Sequence, residues 1–288
     1  MPSLFKTVLL AALVGTALAG AATAEPIWTL DGLKNPAAVE PDLPAGILYV
    51  TEMAGDRQAK DGLGSISKVS PDGKMLEEGW VSGLNAPKGI GRVEGTLYVA
   101  DIDELVSVEI ETGKITQRYP APGAVALHDV STARDGRVFV SDTATNTIWL
   151  LEKGSFKPWL QSDVLNAPEG IAVDVDRLLV AGLGQVPKDG KPGAPTHLVE
   201  ISFSDKEPHA LGDGTAVGFL DGLAIVGDGT YLSTDIVKGP LYRIYENGAV
   251  DRLMDFAPGA ADLAYDFASK VAYVPLSTEG KLVAIQLE

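Results

Sequence analysis

The sequence predicts an all-β fold, a six-bladed propeller whose ring is closed by an N-terminal strand completing the last blade. Two recurring patterns and one unmatched strand carry the prediction. The first pattern is a run of β-branched and aromatic residues at 47–50, 97–100, 138–141, 178–181, 231–234 and 271–274. The second precedes each run: a short loop turning into a small, apolar strand at 37–39, 88–90, 128–130, 169–171, 221–223 and 261–263. The residues opening these segments are Ala37, Lys88, His128, Glu169, Asp221 and Ala261, spaced 51, 40, 41, 52 and 40 apart. A mean period of about 45 residues suits four antiparallel strands per unit.

In chain order, residues 1–24 read as a secretory signal peptide. Lys6 is their only charge, an apolar stretch follows from Thr7 to Ala19, and Ala22-Thr23-Ala24 gives a small-x-small cleavage pattern. The stretch is short of the ~20 residues that span a bilayer. Cleavage leaves 25–288 as a single propeller domain, periplasmic or secreted, with no membrane segment. The strand Ile27-Trp28-Thr29-Leu30 then stands before the first repeat with no partner nearby in sequence. Within the repeats, Asp72-Gly73 and Asn247-Gly248 supply the positive φ angles of tight hairpins, and Glu111-Thr112-Gly113 marks another turn. The sixth repeat stops after 281–287, one strand short. Pairing its last strand with 27–30 closes the ring and removes both sheet edges, which otherwise invite aggregation.

Composition narrows the partners. The formal charge is −16, which disfavours nucleic acid and anionic membranes, both attracted to basic patches. There is no Cys, so neither disulfides nor thiol chemistry contributes. No Gly-x-Ser-x-Gly elbow, phosphate-cradling Gly-Lys-Ser/Thr loop or His-Glu-x-x-His pair is present. The expected partner is a small-molecule substrate or ligand.

Residues at the mouth of the inner strands converge on the axis of a propeller, so the six blade-opening positions form the candidate site. Lys88, His128, Glu169 and Asp221 place one ammonium, one imidazole and two carboxylates around a narrow opening, where crowded charges shift one another's pKa values. By strand alternation Asp129 is expected to point away from His128 into its blade, and Asp262, one residue out of register, is expected to fall short of the channel. Asp101, Asp142 and Asp235, near second-strand ends, are expected to accept hydrogen bonds from loop backbone. His197 and His209 lie outside the register. The excess residues of the two long repeats, 52–65 and 182–196, fall between second and third strands of blades one and four. Those blades face each other across the axis, so the insertions are placed to roof the channel.

The register, together with Ala167-Pro168-Glu169-Gly170 and Phe219-Leu220-Asp221-Gly222, resembles the senescence-marker protein/gluconolactonase family. Val140-Ser141-Asp142-Thr143-Ala144-Thr145-Asn146 is similar to an NHL-type repeat. The family resemblance implies a six-bladed propeller that holds a divalent cation, usually calcium, in its channel and hydrolyses lactones or organophosphates. It also implies ligands of Glu, Asn, Asn and Asp type opening four blades, which fall here on Ala37, His128, Glu169 and Asp221. Only the Asp matches, and Glu169 supplies a second carboxylate from another blade. The expected metal ligands are therefore His128, Glu169 and Asp221, with calcium implied by resemblance and zinc or a transition metal suited to the imidazole. In a metal-free site Lys88 would serve as the internal cation, pairing with Glu169 or Asp221. The expected activity is an exported, gluconolactonase-like hydrolase of a small lactone or ester, with Asp221 catalytic and Lys88 and His128 on the substrate. A non-catalytic propeller binding a small ligand or partner protein is the alternative, and a lyase a third reading.

Overall fold

A computed structural model describes residues 26–186, 193–227 and 229–287. The expected signal segment, 1–24, and part of the second roofing loop lie outside the described residues. No helix among the described residues is long and apolar enough to cross a membrane.

Six four-stranded antiparallel sheets are arranged as the blades of a propeller. The inner strands are Pro36–Asp42, Pro87–Val93, Leu127–Thr132, Pro168–Asp174, Leu220–Gly227 and, much shorter, Ala264–Asp266. Each inner strand touches the inner strands of both neighbouring blades, so the six surround one axis. Closure follows the expected route. The N-terminal strand Pro26–Asp31 pairs with Lys281–Gln286, from Pro26 opposite Ile285 to Asp31 opposite Lys281, and becomes the outermost strand of blade six.

The core lies between blades rather than at the axis. Outward-twisting strands present alternate apolar faces to the next blade, as where Tyr49, Ile66 and Val81 of blade one pack on Ile90, Leu97 and Val106 of blade two. These side chains are almost fully removed from water, each contributing roughly 1.5–3 kcal/mol.

One irregularity positions the site. In five blades the ladder between first and second strands slips at the same place, between Pro36 and Val39, Pro87 and Ile90, Leu127 and Val130, Pro168 and Ile171, and Leu220 and Leu223. A bulge of this kind leaves its residues out of the ladder and re-aims their side chains. Lys88, His128, Glu169 and Asp221 each occupy its first position. The second position is tight. A Cβ on Gly170 would lie 2.1 Å from the Asp221 carbonyl oxygen, and one on Gly89 would lie 2.3 Å from the Asp129 Cα. Glycine is required at both because adjacent inner strands approach closely there.

Hydroxyls from second strands hold these bulges in place. Thr51 Oγ1 accepts from Ala38 N at 3.0 Å and donates to the Lys88 carbonyl of the next blade at 2.6 Å. Ser141 does the same between Asp129 N (2.9 Å) and the Glu169 carbonyl (2.6 Å). Thr234 links Gly222 N (2.9 Å) to the Ala261 carbonyl (2.8 Å). Ser277 donates to the Pro36 carbonyl, carrying the stitch across the junction of blades six and one.

Candidate active site

Three of the predicted side chains converge. One ligand atom each from His128, Glu169 and Asp221, on consecutive blades, lies within 4.8 Å of the others. His128 Nε2 is 3.6 Å from Glu169 Oε1. His128 Nδ1, Glu169 Oε2 and both Asp221 carboxylate oxygens are buried without a hydrogen-bond partner among the described residues. Polar atoms stripped of water cost about 1–3 kcal/mol each when unpaired, so the cluster has strong capacity for a cation, a water or a polar ligand.

Above the cluster opens a cavity of about 450 Å³, within the range of small-molecule sites. Lys88, His128 and Glu169 form its polar floor, whereas Asp221 is 1% exposed and sits beneath them. Both insertions reach the cavity: Arg57 and Gln58 come from the blade-one loop, and Leu183 and Val186 from the blade-four loop. The roofing expected of 52–65 and 182–196 is borne out for these residues. Arg57 carries no repeat signal in the sequence. Its only hint is being the one Arg in a loop expected to cover the site.

Burial and mutual charge set the protonation of the floor. Asp221 is pushed up to about 7, chiefly by burial, with the Arg57 guanidinium opposing. Burial, then the Asp221 charge, hold Glu169 well above the usual carboxylate range. Burial, then Lys88 and Arg57, hold the His128 imidazole well below its usual value, so it is neutral near pH 7. Lys88 is lowered by burial and by Arg57. Its ammonium touches only the Arg57 carbonyl, at 3.4 Å, and no carboxylate among the described residues lies within ion-pair distance of Lys88 or Arg57.

Beside the site two expectations are corrected. Asp129 does not point into its own blade: its Oδ2 accepts Ile171 N of blade four at 2.8 Å, and its Oδ1 accepts Val130 N at 2.6 Å. Its carboxyl also shares a hydrogen bond with that of Asp262, which reaches the axis from blade six despite its shifted register. The bulge at 128–129 interrupts strand alternation, on which the expectation for Asp129 rests. Asp129 is raised to about 6 and Asp262 well above its usual range, both chiefly by burial.

The remaining residues behave as expected. Asp101 accepts Asn85 N and Ala86 N, Asp142 accepts Ala126 N, and Asp235 accepts Val237 N and Lys238 N. Ala37 packs with Met53, Ala86 and Ile102, which makes the blade-one side of the ring apolar. His197 and His209 do not line the cavity.

No family model and no curated protein matches this chain in sequence. Solved structures match its fold. A gluconolactonase from Xanthomonas campestris is 14% identical, with a TM-score of 0.65 over 90% of this chain and 88% of its own. A streptogramin B lyase is 11% identical, with a TM-score of 0.63 over 91% and 97%. A catalytically inactive virginiamycin B lyase from Staphylococcus aureus, solved with quinupristin, is 12% identical, with a TM-score of 0.59 over 91% and 99%.

Proposed function

We propose that the chain is an exported, gluconolactonase-like hydrolase that opens a small lactone or ester at the His128, Glu169 and Asp221 cluster. The observation that carries this reading is the trio of buried, unpartnered acid and imidazole groups from three blades beneath a ligand-sized cavity. The likeness to a gluconolactonase and to lyases supports the fold, and the chemistry rests on the floor itself.

Hydrolysis needs a base near neutrality, and Asp221, at about 7, has the right strength. Asp221 accepts a proton from a water held among the three groups as the water oxygen bonds to the carbonyl carbon. It returns that proton to the alkoxide as the ester C–O bond breaks. Lys88, on the floor beside His128, faces the negative charge developing on the carbonyl oxygen. Neutral His128 offers substrate a hydrogen bond without competing for the proton.

Two carboxylates and an imidazole with free lone pairs fit a divalent cation. His128, Glu169 and Asp221 would hold it, calcium being favoured by the carboxylates and zinc by the imidazole. Such a cation supplies Lewis-acid polarisation of the carbonyl and lowers the pKa of bound water.

One feature favours a binding protein instead. Lys88 is only 8% exposed and makes no ion pair with an acid among the described residues, which makes it a built-in charge for a ligand. The deciding experiment is a lactone and ester screen with and without calcium or zinc, run beside metal analysis of protein purified without chelator. Turnover lost in Asp221→Asn, with cooperative unfolding retained, supports the hydrolase. Ligand-induced stabilisation without turnover of any substrate overturns it in favour of the binder.

A further inference from the structure

We propose that the substrate is an apolar acyl ester or lactone rather than a polyhydroxylated sugar lactone, and that Arg57 and Lys88 receive the carboxylate that hydrolysis releases. This rests on the hydrolase reading above and names the chemistry of its substrate. The cavity is two-faced. One wall and rim are built from Ala126, Ala144, Leu183, Val186, Ile236 and Val237, which offer no side-chain hydrogen bond. A sugar ring needs donors and acceptors there, because each buried hydroxyl left unpaired costs about 1–3 kcal/mol.

Among the described residues above the floor, two neutral hydrogen-bonding side chains line the cavity, Thr143 and Gln58. Thr143 is committed, since its Oγ1 donates to the Pro168 carbonyl at 2.9 Å. Gln58 is exposed at the loop tip. A hydrocarbon chain, by contrast, gains from the Leu183, Val186, Ile236 and Val237 wall at roughly 0.8 kcal/mol per buried CH₂.

The cations occupy the other side. Lys88 comes from blade two and Arg57 from the blade-one loop, opposite the blade-four loop that carries Leu183 and Val186. Neither forms an ion pair with an acid among the described residues, although Glu169 and Asp221 act on both from a distance. Lys88 is nine-tenths buried on the floor, where Asp101, Glu169 and Asp221 act on its charge from a distance and none closes an ion pair with it, so its ammonium keeps donors for an incoming anion. The reaction makes one. Water's oxygen bonds to the acyl carbon, the ester C–O bond breaks, the alkoxide leaves as an alcohol, and the acid ionises to a carboxylate with its proton released to solvent. Arg57 holds that product by a two-pronged contact that a flexible ammonium alone does not provide.

Binding tests the proposal without requiring turnover. Calorimetry with octanoate, 1-octanol and gluconate probes the product head and tail separately. Octanoate is expected to bind wild type at least tenfold more tightly than either comparator. Arg57→Gln should weaken octanoate about tenfold and leave octanol unchanged. Val186→Asn, at a 41% exposed position that tolerates substitution, should weaken both. Gluconate binding as tightly as octanoate, or octanoate indifferent to Arg57→Gln, overturns the proposal. Octanoate binding without hydrolysis of any ester would instead sink the hydrolase reading and leave the pocket chemistry standing.

Discussion

Asp129 of blade three and Asp262 of blade six meet across the propeller axis as a hydrogen-bonded carboxyl pair beside the candidate site. Two carboxylates in contact keep a proton between them, because both cannot ionise at close range in a dry site. The two are not equivalent. Asp129 also accepts two backbone N–H groups, which stabilise its charged form, whereas Asp262 accepts only Leu263 N, at 2.8 Å.

That asymmetry predicts opposite outcomes for two matched substitutions. Asp262→Asn keeps a donor toward Asp129 and removes the group with the higher pKa. A raised carboxyl stabilises the folded state fully below its unfolded value near 3.8, and the benefit is lost as pH rises toward the folded value. Asp262→Asn should therefore melt higher than wild type at pH 8 and no higher at pH 4. Asp129→Asn turns one acceptor into a donor facing a backbone N–H, and should cost about 1–3 kcal/mol at pH 4 and less at pH 8, where wild type has lost the stabilisation of its raised Asp129 carboxyl. Thermal unfolding of the two variants at both pH values checks the pair.

Glu40, deeper on the inner strand of blade one, gives a second pH signature of the same sign. Burial pushes it up to about 7, against the pull of Arg92, whose Nε lies 3.8 Å away. Between about pH 4.5 and 7 the unfolded chain ionises this group while the folded protein keeps it protonated, so stability falls across that window. The loss amounts to at most about 3.5 kcal/mol, because each tenfold difference in proton affinity between the two states is worth roughly 1.4 kcal/mol. Glu40→Gln should flatten this part of the stability curve, and its midpoint in urea should exceed wild type at pH 8 but match it at pH 4. A variant that tracks wild type across the range would refute the assignment.

These acids also mark the limit of what the sequence discloses. The ring positions are legible because the chain repeats one device, a small-residue loop into a bulged strand, and Lys88, His128, Glu169 and Asp221 recur at its first position. Closure is legible because 27–30 has no partner of its own nearby in the chain. Asp129 escapes the reading because alternation holds only within an unbroken ladder, and the bulge sits on that residue. Arg57 escapes it because a loop side chain obeys no period. Its place over the floor depends on where the loop folds back, with its carbonyl on Lys88. The depth of Asp221 below His128 and Glu169 is equally invisible, since register gives the blade and not the distance along the axis.

Gly170 couples the fold to the site most directly. A methyl group added there would need the Asp221 carbonyl, 2.1 Å from its ideal position, to move. Overpacking of this sort costs typically 1–3 kcal/mol. Gly170→Ala should therefore unfold at lower temperature, and, if the proposed metal site holds, the folded fraction should bind calcium or zinc more weakly than wild type because Asp221 is displaced from His128 and Glu169. Calorimetric titration of the folded variant with each metal is the measurement. Metal binding equal to wild type would show that Asp221 is not held by this contact.

The N-terminal strand offers the test of closure. Pro26–Asp31 covers the outer edge of Lys281–Gln286, and Trp28 reaches beyond its own blade, donating from Nε1 to the Pro71 carbonyl of blade one at 2.9 Å. The indole ring also lies 6.0 Å from Tyr273 and against Gly73, where a Cβ would be 2.6 Å from a ring carbon. The strand thus finishes blade six and ties it to blade one. Deleting residues 26–31 uncovers a full strand edge and the neighbouring Leu282 and Ala284, both fully buried in the intact ring. The truncated chain should form higher-order species by light scattering at concentrations where the full ring is monodisperse, and its unfolding should lose cooperativity. Trp28→Ala keeps the ladder but removes the tie to blade one, so it should lower the melting temperature by several degrees without aggregation, in line with a loss of about 3–5 kcal/mol or less for a half-buried indole. A truncated chain that unfolds like the full ring would mean that the edge is sealed by some other contact.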